Sequence, residues 1–236
     1  MVIVSPLFAG TAGVTGSITA DRTTVLAESI VNVTWAATYP AVSPTEVVTI
    51  PAEPSETVIP KVKLRADVRC IGVAFGPSSS PYPVRGYVKS GTSSTWTKIF
   101  FGNANTYNPQ TVIWSKTLNA GEALDFQFQG SQQSNYSVTN ESSVTSWNTA
   151  INTTSSSPYS WNRVMLKNGD TAPSYVPAFD QANVKAMLSA YFKSGTSQVS
   201  IGPRDLIYLT ELTNYNKGSS STDMQDLIFL VTFTEI

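Results

Sequence analysis

Carboxylates are the side chains of this chain whose types and spacing come nearest to doing chemistry. Asp223 and Asp226 stand three apart beside Thr222, where a polar loop gives way to an apolar run. Carboxylate, hydroxyl and backbone oxygens are the ligands of hard cations, so the junction is a candidate calcium site at Asp223 and Asp226. The competing reading is that both aspartates satisfy the backbone of a turn. Asp205 and Glu211 form a second pair. They flank a run that reads as a strand and lie too far apart along it for the paired acid and base of glycoside hydrolysis.

The rest of the catalytic repertoire is missing. The 236 residues contain no histidine and one cysteine, Cys70. That removes Ser-His and Cys-His nucleophile pairs and the commonest metal ligand. No Gly-rich phosphate loop, paired cysteines or zinc helix occurs. Cys70 sits in an apolar run and reads as a buried, inert thiol. The expectation is a chain without catalytic residues or an organic cofactor, with calcium as the one ion to consider.

The elements that would position such groups are strands. Hydrophobic residues make up 41% of the chain and charged residues 13%, against about 25% charged in ordinary domains. Core formers are plentiful, and Ser, Thr, Asn and Gln are left for the outer faces of sheets. KVKLRADVRCIGVAF (61–75) alternates Val62, Leu64, Ala66, Val68 and Cys70 inward and then switches to Ile71, Val73 and Phe75, a one-residue shift that predicts a bulge. Strands are predicted at 84–89, 95–101, 111–118 and 122–129, with Leu124, Phe126 and Phe128 inward and Asp125 outward. Five prolines between 40 and 60 predict an extended or edge segment. Residues 131–160 hold one charge and 21 Ser, Thr, Asn or Gln; they read as a surface loop with a short strand near 134–139, and 161–170 as a return to β structure. One helix is predicted, capped by Asp180, with Val184, Met187, Leu188, Tyr191 and Phe192 on its apolar face and Gly195 as its stop. DLIYLTEL (205–212) and DLIFLVTF (226–233) are apolar almost throughout and read as a hairpin covered on both faces.

Charge and aromatics bear on partners. Net charge is −1, yet residues 61–110 carry seven bases and one acid while 1–60 carry five acids and one base. No helix or aromatic platform concentrates the bases, which argues against nucleic acid. No run is long and apolar enough for a membrane span. MVIVSPLFAG lacks the positive n-region and apolar length of a signal peptide. Residues 1–16 read as an N-terminal arm, in which Val2, Ile3, Val4, Leu7 and Phe8 need a groove on their own domain or on a neighbouring subunit. Trp147 and Tyr159 lie in the polar excursion where no core demands them, and are the candidate contacts for a glycan or protein partner.

SITADRTTVLAESIVNVTWAATY (17–39) resembles the first two strands of immunoglobulin-like modules in bacterial and phage surface proteins: a polar strand, a turn, and a strand carrying Thr34-Trp35. The resemblance implies a sandwich and no activity. Composition and arm together resemble β-sandwich structural proteins of tailed-phage virions, of the decoration, head-fibre or tail accessory type. The fold expected is therefore an all-β antiparallel sandwich, immunoglobulin-like or jelly-roll, with one short C-terminal helix and an extended arm. Residues 17–236 are expected as one unit, or as 17–60 and 61–236. The function expected is a non-enzymatic structural protein of a virus particle, self-associating and attaching to a capsid or tail lattice. A subunit of an extracellular bacterial or archaeal filament or surface layer is the alternative, followed by a carbohydrate-binding module.

Overall fold

The computed structural model describes residues 15–20, 33–38, 43–51, 54–132, 140–154, 160–174, 181–213 and 222–236. The arm residues Val2, Ile3, Val4, Leu7 and Phe8, the segment 134–139, Tyr159 and Asp180 lie outside them. Strands β1 (Thr15–Ala20) and β2 (Val33–Thr38) pair antiparallel, from Thr15 opposite Thr38 to Ala20 opposite Val33. They belong to a unit of residues 1–42, and residues 43–236 form a second. The larger unit thus starts between the two boundaries expected from sequence, residue 17 and residue 61.

The proline-rich segment departs from its extended reading at its start. Ser43 caps one helical turn, α1 (Pro44–Val47): its Oγ accepts from the Thr45 N–H, and Glu46 accepts from the Ser43 N–H at 3.2 Å. Proline suits the first helical turn because its missing N–H would have no partner there. The chain then extends as β3 (Val48–Thr49), which pairs antiparallel with β4 (Ile59–Pro60).

Two larger sheets make the body of this unit. Its strands are β5 (Leu64–Val73), β6 (Val84–Ser90), β7 (Thr97–Gly102), β8 (Val112–Leu118), β9 (Leu124–Gly130), β10 (Ile151–Asn152), β11 (Arg163–Leu166), β12 (Asp205–Thr210) and β13 (Leu227–Glu235). One sheet runs β10-β9-β6-β7 and the other β11-β12-β13-β5-β8. Every described pairing in them is antiparallel. The architecture is the all-β sandwich expected.

The main core lies between the sheets. Val84, Val88, Leu124, Phe126, Phe128 and Ile151 face Leu64, Val68, Cys70, Leu206, Tyr208, Phe229 and Val231. Phe229 stands at its centre, with ring centroids 5.1 Å from Phe128, 6.0 Å from Phe126 and 6.5 Å from Phe100. Directly across is Gly86 of β6, where a Cβ would overlap the Phe229 ring. A second core covers the opposite face of the five-stranded sheet, where Ile207, Leu209, Ile228, Leu230 and Ile71 meet Leu166, Val184, Leu188, Phe192 and Val199. Both runs read as covered on two faces are so.

The bulge of β5 falls where the sequence places it. Gly72 pairs with Ile228 and Cys70 with Phe229, leaving Ile71 unopposed. Ile71 therefore turns to the second core while Cys70 and Val73 keep to the first. Val62 departs from the alternation: it is 41% exposed, in a bend before β5 begins. Asp125 departs too, being buried rather than outward, because Thr57 and Thr153 donate to its Oδ1 at 2.5 and 3.2 Å. The predicted helix shrinks to α2 (Val184–Met187), capped by Asn183, and tightens into a 3-10 turn at Ser189–Tyr191. Phe192 is then extended and bridges to Val199. Its apolar set nonetheless packs as predicted, with Val184, Leu188 and Phe192 buried and Met187 and Tyr191 against them.

Burial pushes the Cys70 thiol up to about 12, so almost no thiolate exists at neutral pH. A thiol reagent is expected to label native protein orders of magnitude more slowly than unfolded protein, and Cys70→Ser to cost on the order of 1–3 kcal/mol by burying a hydroxyl. Gly86→Ala is expected to lower the denaturant midpoint by about 1–3 kcal/mol equivalent, because Phe229 must move to admit the methyl. Equilibrium denaturation of the two variants checks both values.

Candidate functional site

The β12–β13 hairpin assembles the carboxylates. Its register sets Asp205 opposite Thr232 and Tyr208 opposite Phe229. Extended past the end of β12, the same register sets Glu211 opposite Asp226. Backbone contacts continue the pairing there, with Asp226 N–H donating to Thr210 O at 3.0 Å. Asp223 comes in from the connecting loop, and its N–H donates to Glu211 Oε2 at 3.0 Å. One oxygen from each of Glu211, Asp223 and Asp226 lies within 4.8 Å of the other two, and all three residues are buried.

Neutral donors hold the cluster in place. The Leu212 N–H donates to Asp226 Oδ2 at 2.6 Å. The Thr213 N–H donates to Glu211 Oε1 at 3.3 Å, and the Thr213 hydroxyl donates to the same oxygen. Met224, between Asp223 and Asp226, takes φ +60°, a left-handed conformation uncommon for a long side chain. Gln225 is wholly buried. Its Nε2 donates to Asp223 Oδ2 at 3.2 Å and to Gln181 Oε1 at 2.7 Å, while no donor among the described residues reaches its Oε1. Burial, and then the negative charges of Glu211 and Asp223, hold the Asp226 carboxyl well above the usual carboxylate range.

The structure brings Asp223 and Asp226 together, as their spacing suggested, and adds Glu211. Asp205 stays at the far end of β12, where its Oδ2 accepts from the Gly202 N–H at 2.9 Å. The sequence offered Glu211 only as the partner of Asp205, because a hairpin with a long connecting loop leaves the register of its strands open. Gln225 carried no signal, since a glutamine at the end of a polar loop reads as solvated.

Trp147 sits in a second polar cluster. The Arg85 guanidinium lies over its ring, 3.9 Å from the centroid, and the Phe101 ring meets it edge-on at 6.3 Å. Arg85 also donates to Gln129 Oε1 at 2.9 Å and pairs with Glu141 at 3.0 Å. Lys98 pairs with the other Glu141 oxygen. Trp147 is thus packed on strands β6 and β7 through their side chains and is half-buried. Near Gln181 a cavity of about 190 Å³ opens between Phe75, Pro81 and Met187; sites for drug-sized ligands run roughly 300–1,000 Å³.

Comparison with known protein families, with curated proteins and with solved structures finds no match for this chain. Among the described residues, no helix is long and apolar enough to cross a membrane.

Burial opposes the charge of Glu141, but its hydrogen bonds and ion pairs with Lys98 and Arg85 outweigh that and hold its carboxyl below the ordinary value. A depressed native value stabilises the fold above the unfolded carboxylate range and is lost as pH falls through the native one. Glu141→Gln is therefore expected to cost about 1 kcal/mol near neutral pH, with wild type and variant converging in acid. Thermal melts of both from pH 7 down to the acid limit of the fold measure the difference.

Proposed function

We propose that this chain is a non-enzymatic structural subunit of a virus particle, associating with copies of itself and attaching to a capsid or tail lattice. The observation that carries the reading is the division at residue 42: in the unit from Ser43 onward, the described residues build a core between two sheets. The apolar arm sequence, with Val2, Ile3, Val4, Leu7 and Phe8, precedes that division and supports a role in attachment. A body with its own two-sheet core, joined to a sequence rich in apolar residues, suits a subunit whose contacts lie outside itself. The low charge of the chain supports the same reading, since hydroxyl- and amide-rich sheets can be covered by neighbours without burying ions.

A filament or surface-layer subunit would use the same division of labour. Glycan binding has less support, because Arg85 already covers the Trp147 ring.

Full-length protein is expected to form oligomers in size-exclusion chromatography with light scattering. Deleting residues 1–8, which removes Val2, Ile3, Val4, Leu7 and Phe8, should leave a folded monomer with little change in thermal midpoint and weaker assembly. Unchanged assembly would rule out the arm as connector, and unfolding would place it in the core. Peptide mass spectrometry of purified particles against that of surface filaments separates the two settings.

A further inference from the structure

We propose that Glu211, Asp223, Asp226 and Gln225 bind one hard divalent cation, which their ligand chemistry identifies as Ca²⁺. Two independent observations point there. Three carboxylates from the end of β12, the connecting loop and the approach to β13 present oxygens within 4.8 Å of one another in a buried place. The described donors to Glu211 and Asp226 are backbone N–H groups and a hydroxyl, which orient these oxygens and bring no positive charge. A cation at the centre turns their mutual repulsion into common attraction. The second observation is Gln225. It is wholly buried and reaches the cluster through its carboxamide, whose Nε2 donates to Asp223, yet its Oε1 accepts no hydrogen bond from the described residues. A buried carbonyl oxygen without a donor is rare in a native fold, and amide oxygens are ordinary calcium ligands.

The donor set chooses among metals. Every candidate ligand is an oxygen, which favours a hard ion over zinc or copper. Mg²⁺ keeps several waters and demands an octahedron, whereas Ca²⁺ accepts irregular protein oxygens. Binding would fasten the β12–β13 hairpin at the end where its connecting loop leaves the sheet. The proposal stands apart from the virion reading, because it concerns the interior of the larger unit.

The test uses the full-length protein, analysed for bound metal as purified and then stripped with chelator. Calorimetric titration with CaCl₂ is expected to show one ion per chain, with MgCl₂ at least about tenfold weaker. Saturating calcium is expected to raise the thermal midpoint of the stripped protein by about 5 °C or more. Glu211→Gln and Gln225→Ala should each weaken calcium binding at least about tenfold. If the variants do not fold, the wild-type titration and metal content decide alone. The proposal is overturned if wild type neither carries nor takes up calcium, or if uptake is unchanged in both variants. It is equally overturned if Asp226→Asn raises the midpoint by the same amount with and without calcium, which would assign the cluster to a shared proton.

Discussion

The Phe229 ring filling the space over Gly86 sets how closely the two sheets approach. Stacked sheets stand about 10 Å apart, a distance filled by side chains from both. Here one large ring on β13 takes up the space that β6 leaves by carrying no side chain, and Phe100, Phe126 and Phe128 close around it. The position of β13 follows from this contact, and with it the pairing of β12 on one side and β5 on the other. The bulge at Ile71 lets β5 serve both cores, so the register that suits Phe229 also suits the layer carried by α2.

A strap closes one side of the sandwich. Val58 exchanges backbone hydrogen bonds with Leu124 of the four-stranded sheet, at 3.0 and 2.7 Å. Two residues earlier, Glu56 reaches the other sheet: its carboxylate accepts from the Met165 N–H at 3.1 Å and pairs with buried Arg163 at 3.0 Å, while its carbonyl accepts from the Tyr208 hydroxyl at 3.0 Å. Arg163 also donates to the Pro54 carbonyl. A charged pair buried in this way is weak evidence of net stability but fixes geometry, since either ion alone would be costly. The prolines nearby narrow the conformations the strap could adopt before docking.

Much of this was legible from the sequence because period-two alternation records which face of a strand is covered. It placed β5 to β9, the bulge and the doubly buried hairpin. It failed where a neighbouring segment overrules the local pattern. Asp125 looks outward until the strap lays Thr57 across it. Val62 looks inward until the strand starts two residues later. Pro44 looks like a breaker of structure until Ser43 and Glu46 make it the first turn of a helix. In the acidic cluster, Asp223 and Asp226 were visible as neighbours in sequence. Glu211 became visible only through hairpin register, and Gln225 only through its burial.

The place of β13 in the five-stranded sheet also has a meaning in time. Leu64 pairs with Glu235 and Val73 with Leu227, so β5 meets its partner only after nearly the whole unit has been synthesised. Until then one edge of β5 offers open backbone groups and the main core lacks its central aromatic, Phe229. Loop closure over such a span is slow, and incomplete sheets expose edges that other chains can join. A growing chain of this design keeps its longest strand unsatisfied through most of translation. β13, made after the other described strands of the unit, seals both layers at once.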